Sequence, residues 1–134
     1  MMDSSELMQK AREAALAAYA PYSKFRVGAA LLMSDGSVIT GVNIENRSYG
    51  LSNCAERTAF FTALTMGKRD VSAIAVASPD AWEPLPPCGA CRQVISEFCS
   101  PQTPIYYDDG RGGYINSSVE ELYPVNSLMD MMNR

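Results

Sequence analysis

The stretch Val71-Ser72-Ala73-Ile74-Ala75-Val76-Ala77 lies near the middle of a 134-residue chain and is a short, mainly apolar run, which predicts a buried strand. Residues 78–87 follow it, contain four prolines, and predict a loop. Over residues 88–99 apolar side chains recur at helical spacing until Pro101 ends the pattern. The centre of the chain therefore passes from strand through loop to helix, as α/β proteins do.

Towards the N-terminus, the pattern predicts two helices and a hairpin. The helices are expected over residues 4–19, capped by Ser4 or Ser5, and over residues 53–66. Two strand-like runs, 25–33 and 38–44, are separated by a turn that contains Asp35-Gly36, a good hairpin signal.

Towards the C-terminus, residues 105–107 and 114–115 are short strand candidates, and Ser118-Val119-Glu120-Glu121 is a capping box that starts a closing helix. The full order, α-β-β-α-β-α-β-β-α, predicts an α/β layered domain with one mixed sheet covered by helices. Because 134 residues with 47% hydrophobic content are enough for one core, we expect a single domain over residues 1–134.

Composition excludes several classes of protein. With 11 Lys+Arg against 15 Asp+Glu the net charge is −4, and the basic residues do not cluster, so nucleic acid is not expected as a partner. The start of the chain lacks a secretory signal and no apolar stretch can span a bilayer, so we expect a cytoplasmic protein without a membrane partner. The sequence has no histidine, so catalysis must use carboxylates, thiolates or hydroxyls.

Two short motifs carry the chemistry: Cys54-Ala55-Glu56 and Pro87-Cys88-Gly89-Ala90-Cys91. Each opens a predicted helix, where free amides and the helix dipole lower a thiol pKa and prepare the thiolate for zinc. Three thiolates, from Cys54, Cys88 and Cys91, with one open position are the pattern of a catalytic zinc site. Structural zinc sites instead fill all four positions with protein ligands.

The fourth cysteine does not fit the same metal. Cys99 is eight residues after Cys91 on the same predicted helix, about 12 Å along its axis. Two sulfurs on one zinc are at most about 4.6 Å apart. We therefore predict that Cys99 is a buried apolar side chain.

Charged residues beside the predicted ligands suggest two further roles. Glu56 is the best-placed group to take a proton from water and return it to a leaving group. Arg57 and Arg92 are each adjacent to a ligand and are candidates to offset the negative charge of three thiolates through hydrogen bonds to sulfur.

Together these motifs resemble the small homotetrameric zinc-dependent cytidine deaminases. The resemblance rests on Cys54-Ala55-Glu56-Arg57 and 87–93, with Tyr22-Ser23-Lys24-Phe25 and Asn43-Ile44-Glu45-Asn46 upstream. It covers residues from about 20 to about 124, nearly the whole domain. It implies a three-layer α/β sandwich with a mixed five-stranded sheet, a homotetramer, and hydrolysis of cytidine or deoxycytidine to uridine or deoxyuridine and ammonia.

The resemblance also assigns roles to single residues. Cys54, Cys88 and Cys91 match the zinc ligands, and Glu56 matches the group that moves protons. Others match the nucleoside site: Phe25 lines it, Asn43 and Glu45 bind the ribose hydroxyl, the backbone of Ala55 contributes, and Tyr49 reaches in from a neighbouring subunit. One position departs from the family: Ser127 stands where an aromatic that stacks on a neighbour's pyrimidine is expected.

Three alternatives remain open from the residues. The nearest is a sister deaminase acting on another aminated ring, of the blasticidin S deaminase type. A structural zinc module for protein interactions would keep the metal without catalysis. A thioredoxin-like Cys-x-x-Cys protein is disfavoured because it leaves Cys54-Ala55-Glu56 unexplained.

Overall fold

A computed structural model describes residues 2–128. Four helices and five strands make up this part of the chain, together with one short 3-10 helix, Tyr49–Leu51. In chain order they are α1 (Ser4–Ala15), β1 (Gly28–Met33), β2 (Val38–Val42), α2 (Ala55–Thr65), β3 (Val71–Ala77), α3 (Gly89–Phe98), β4 (Pro104–Asp108), β5 (Tyr114–Ser118) and α4 (Val119–Leu122). No helix among residues 2–128 is both long enough and apolar enough to cross a membrane.

The five strands form one sheet in the order β2-β1-β3-β4-β5. Strands β3 and β4 are parallel, because α3 carries the chain back across the sheet between them. The other neighbouring pairs are antiparallel. The predicted mixed five-stranded sheet is confirmed.

Helices cover both faces of the sheet, which gives three layers. Side chains on β1 alternate between the faces: Ala30 and Leu32 pack in a cluster with α1, whereas Ala29 and Leu31 pack in a second cluster with α2 and α3. Strand β3 follows the same rule, and its α1 face consists of alanines. The predicted three-layer α/β sandwich is confirmed, while the limits of one domain over 1–134 stay a prediction.

Helix α1 differs from its predicted limits at both ends. Asp3, not Ser4 or Ser5, is the N-cap, since its carboxylate accepts a hydrogen bond of 2.9 Å from the Glu6 amide. The helix ends at Ala15 instead of residue 19. Tyr19 instead forms a bridge to Ile44, so a tertiary contact overrides the helical propensity of the alanines.

Strand β1 begins three residues later than predicted. Lys24, just before the predicted start at residue 25, has a φ of 62°, a left-handed conformation. The Asn43 side chain then takes the place of a strand partner for residues 25–27: it donates to the Phe25 carbonyl and accepts from the Val27 amide, both at 2.8 Å.

Helix α1 packs very close to the sheet at Gly28. A Cβ atom at this position would lie 2.0 Å from the Ala11 carbonyl oxygen and 2.6 Å from the Ala15 amide nitrogen. These are backbone atoms of α1, so the helix would have to move as a whole. Gly41 plays the same part on the other face, where its added Cβ would lie 2.3 Å from the Ala59 amide nitrogen of α2.

We predict that Gly28→Ala lowers the free energy of unfolding by about 1–3 kcal/mol, because it overpacks the contact between α1 and the sheet. The measurement is the urea midpoint of metal-loaded protein. Gly50→Ala is the control, since a Cβ there meets no atom within 4 Å, and its effect should stay within about 0.5 kcal/mol. Equal midpoints for the two variants would contradict this account of the packing.

Candidate active site

Three cysteine sulfurs meet where the N-termini of α2 and α3 approach each other. Cys54 is the N-cap of α2 and Cys88 the N-cap of α3, and both have extended backbone conformations without a side-chain capping bond. Their sulfurs are therefore free to point away from the helix that each begins. Cys91, in the first turn of α3, is buried and completes the cluster.

The spacing of the sulfurs fits zinc. The Cys54 and Cys88 Sγ atoms are 3.7 Å apart, those of Cys88 and Cys91 are 3.3 Å apart, and all three lie within 4.8 Å of one another. Two sulfurs in a tetrahedral zinc site at about 2.3 Å from the metal are about 3.8 Å apart. Cysteine is a preferred zinc ligand, so these residues can hold the ion. Three protein ligands leave the fourth tetrahedral position for water or substrate.

The surroundings favour negative charge on the cluster. Contact with the Cys91 thiol, together with hydrogen bonds from Arg57 and Cys88, lowers the pKa of Cys54 to about 5. The same contact with Cys54, together with burial, raises the pKa of Cys91. One thiol is thus ionised at the expense of its neighbour, and a divalent cation is needed to ionise all three.

Arg57 lies where its sequence position suggested. Its Nη2 donates to Cys54 Sγ at 3.2 Å, and this bond, the largest of the causes, raises the pKa of the guanidinium. The Nε atom is buried and has no hydrogen-bond partner among the described residues.

Arg92 acts elsewhere. Its Nε donates to the Pro87 carbonyl at 2.7 Å and its Nη1 to the Leu122 carbonyl at 2.9 Å, and none of its described hydrogen bonds reaches a sulfur. The expectation that Arg92 donates a hydrogen bond to a ligand sulfur is therefore wrong. The side chain instead ties the residue before Cys88 to the end of α4.

Cys99 is separate from the cluster. It is the C-cap of α3, packs against the core on the α2 and α3 side, and does not belong to the group of sulfurs that can share an ion. Burial raises the pKa of its thiol to about 12, so it stays protonated near neutral pH.

A cavity of about 260 Å³ opens beside the sulfurs. This is near the lower end of the size range of small-molecule sites, about 300–1,000 Å³. Cys54 and Cys88 lie in its wall, and so does Glu56, which is only 5% exposed. Burial raises the pKa of the Glu56 carboxyl to about 7. A carboxyl group and the sulfur cluster therefore share one enclosed space.

Polar side chains predicted from the resemblance line the same cavity. Asn43 and Glu45 follow β2 and lie in the wall with Glu56 and Ala55. Glu45 Oε1 accepts hydrogen bonds from the amides of Tyr22 and Ser23, at 3.0 and 3.1 Å. The Ser23 side chain contributes most to lowering the pKa of the Glu45 carboxyl, and the two amide bonds lower that pKa further.

Two predicted residues lie outside the cavity wall. Phe25 does not line it, and its ring instead packs edge-on against Trp82, with centroids 5.8 Å apart. Tyr49 is 77% exposed and borders a second, adjoining cavity that it shares with Glu45. Ser127, at the position of the missing aromatic, is exposed.

Several wall residues were not predicted. They are Val27, Ser52, Asn53, Val76, Leu85 and Pro86. The sequence offered one usable signal: Leu85 and Pro86 immediately precede the Pro87-Cys88 motif, so a loop that leads to a ligand must pass the site. Ser52 and Asn53 immediately precede Cys54 and carry the same signal, whereas Val27 and Val76 reach the cavity through the arrangement of the sheet.

With this geometry established, comparison with known proteins becomes informative. The family model described as the cytidine and deoxycytidylate deaminase zinc-binding region matches residues 1–107. A cytidine deaminase of Halalkalibacterium halodurans is 54% identical over 132 residues, 98% of this chain and 99% of the relative. The chain belongs to the cytidine and deoxycytidylate deaminase family.

A solved structure and a relative with another name add to this comparison. The crystal structure of a cytidine deaminase from Burkholderia pseudomallei has a TM-score of 0.87 and 46% identity, and the alignment covers 92% of this chain and 98% of that one. A blasticidin-S deaminase of Bacillus cereus is 31% identical over 110 residues, 77% of each chain. The zinc-binding character of the family agrees with the three-cysteine cluster found here.

We predict that Cys99→Ala keeps the metal. Because Cys99 packs in the core and not with the sulfur cluster, the variant should retain about one zinc per chain, whereas Cys91→Ser should lose most of it. Elemental analysis of dialysed protein measures both. Loss of zinc from Cys99→Ala with the fold intact by circular dichroism would make Cys99 a ligand.

Proposed function

We propose that this chain is a zinc-dependent deaminase that hydrolyses cytidine and deoxycytidine to uridine and deoxyuridine with release of ammonia. One observation supports this above the others: the buried Glu56 and two of the three clustered cysteines, Cys54 and Cys88, line the same cavity. The names of its relatives support the substrate class, since two of them, 54% and 49% identical to this chain, are called cytidine deaminases.

Glu56 performs the proton transfers in this proposal. Bound zinc supplies the Lewis acidity that makes water a nucleophile at neutral pH. Glu56 accepts a proton as water attacks C4 of the pyrimidine and delivers it to N3. It then takes the second proton from the hydroxyl now bonded to C4 and passes it to the amine, so that the C4–O double bond forms as the C4–N bond breaks and ammonia leaves. The low exposure of Glu56 keeps bulk water from competing for these protons.

Asn43 and Glu45 orient the nucleoside in this proposal. The Asn43 oxygen and nitrogen each have one described hydrogen bond, so each retains capacity for another. The described hydrogen bonds of Glu45 fall on Oε1, which leaves Oε2 for a ribose hydroxyl. Holding the ribose at one end of the cavity fixes C4 near the sulfurs at the other.

The second candidate function is deamination of blasticidin S. The 31% identity to a blasticidin-S deaminase gives it support, but less than the 54% identity to a cytidine deaminase. Relative kcat/KM on cytidine, deoxycytidine, free cytosine and blasticidin S decides between them. If blasticidin S is deaminated and cytidine is not, the first proposal fails.

A homotetramer is part of the proposal. Exposed apolar side chains support burial of further surface between subunits, among them Ile44, Tyr49, Leu51, Phe61 and Met66. Light scattering of purified protein tests it, and a monomer at working concentration would exclude it. A cytoplasmic location stays a prediction.

We predict that Glu56→Gln lowers kcat on cytidine by about 10²-fold or more, because the amide cannot accept and return protons. The glutamine has nearly the same shape, so zinc content should stay unchanged. Ultraviolet absorbance of cytidine measures turnover, and elemental analysis of the same sample is the control. Glu13→Gln, on an exposed part of α1, should leave kcat within about twofold.

Undiminished turnover by Glu56→Gln with full zinc occupancy would remove Glu56 from the mechanism. Absence of deamination in the zinc-loaded wild type would instead support the structural zinc module.

A further inference from the structure

Trp82 is an exposed aromatic that the proposed mechanism does not use. It is the single tryptophan of the chain, and 72% of its surface is exposed. It lies midway along the loop that joins β3 to Cys88. A large aromatic side chain held in contact with solvent beside a ligand cavity is a candidate for a binding role.

Trp82 does not line the cavity itself, but its loop and its aromatic partner both lead to residues of the cavity wall. Leu85 and Pro86, later in the same loop, line the wall on the Cys88 side. The Trp82 ring meets the Phe25 ring edge-on, at 5.8 Å and 90°. Phe25 lies next to the cavity wall without lining it, because its carbonyl accepts a hydrogen bond from Asn43, which does line the cavity. The aromatic pair is thus connected to wall residues in two directions, along the loop to Leu85 and Pro86 and through Phe25 to Asn43.

Ionic contacts before Trp82 fix the loop. Arg26 donates from Nε and Nη2 to the two oxygens of Asp80, each at 3.0 Å, and the Arg26 amide donates to Oδ2 at 2.9 Å. Three hydrogen bonds to one carboxylate define a bidentate ion pair that is reinforced by the backbone. Asp80 is two residues from Trp82, and Arg26 is one residue from Phe25. The ion pair between them therefore limits how far the two rings can move apart.

A second anchor follows Trp82. The Leu85 amide donates to the Asp108 carbonyl at 2.9 Å. Gly110, just after β4, packs so closely that an added Cβ would lie 2.3 Å from the Glu83 amide nitrogen. Trp82 is therefore held between fixed points on both sides, and a ligand that contacts it pays little to order the loop.

We infer that Trp82, edge-on to Phe25, is a positioning residue that contacts the nucleoside where it emerges from the cavity. The inference rests on the proposed function for its ligand, a pyrimidine nucleoside. The reacting end of that ligand lies at Cys54, Cys88 and Glu56, so the parts furthest from C4 are those that reach the rim. Contact there strengthens substrate binding without touching the reacting atoms, so it acts on KM and not on kcat.

Tryptophan emission tests this contact directly, since Trp82 is the sole source of the signal. Uridine, the product, is titrated into zinc-loaded wild type, and cytidine into Glu56→Gln. We expect saturable quenching or a spectral shift with both ligands. Unchanged emission, at concentrations that inhibit or saturate turnover, overturns the inference. A shift that follows protein concentration but not ligand also overturns it, because the ring would then contact another subunit.

Kinetics give the second readout. Trp82→Ala should raise KM for cytidine about five- to tenfold, the loss expected for one aromatic contact, with kcat within about twofold. Trp82→Phe should restore most of the affinity. Asp80→Ala should raise KM in the same direction, because it releases the loop. Leu16→Ala is the control, an exposed apolar residue at the end of α1 and outside the cavity wall, and should leave KM unchanged.

The two measurements separate this inference from the proposed function. Ligand-dependent emission without deamination of cytidine would contradict the function and keep the contact. Deamination of cytidine with silent emission and an unchanged KM in Trp82→Ala would keep the function and contradict the contact. A fall in kcat alone would also contradict a positioning role.

Discussion

The site depends on one electrostatic constraint: three sulfurs that lie within 4.8 Å of one another cannot all be thiolates without nearby positive charge. The chain supplies part of that charge from the N-termini of α2 and α3 and part from Arg57, which donates to Cys54. The opposite pKa changes of Cys54 and Cys91 indicate that ionisation of the first disfavours ionisation of the second. A divalent cation completes the balance, so metal binding and the packing of the two helices stabilise each other.

The sheet explains why the two helices begin at the same place. Strand β3 occupies the centre of the sheet, and its carboxyl end leads through the loop to Cys88 and α3. Crevices at the carboxyl ends of strands are the usual ligand sites of open α/β sheets. Helix α2 approaches the same end closely because Gly41 of β2 leaves room for its backbone. The other face of β3 consists of alanines. It lets α1 cover the far side of the sheet, away from the cavity.

The sequence was sufficient to predict the helices, the strands and the layers. Within the site, it was sufficient to predict the motifs whose residues are close together in the chain. Cys88 and Cys91 share one helical turn, and Cys54 and Glu56 share another, so spacing alone places them. Properties that depend on distant parts of the chain were missed. The Asn43 side chain replaces a strand partner at residues 25–27 and so shortens β1, and Phe25 meets Trp82, a residue 57 positions away whose loop the sequence describes only as proline-rich. Arg92 illustrates the same limit: adjacency to a ligand suggested sulfur, but the carbonyl of Leu122, delivered by α4, lies within its reach.

Asn43 and Glu45 show how one side chain can serve both the fold and the ligand. Asn43 holds residues 25–27, and Glu45 holds the amides of Tyr22 and Ser23, so both organise the segment that leads to Phe25 and Arg26. Polar atoms that are already fixed by the backbone need little reorganisation when a ribose hydroxyl arrives, which favours binding. This double role makes the effect of a substitution harder to interpret. A substitution at either position removes a ligand contact and loosens the segment that supports the aromatic rim, so loss of affinity there does not identify a ribose contact. Exposed residues such as Trp82, whose side chains do not hold the backbone in this way, are the cleaner probes of how the nucleoside is held.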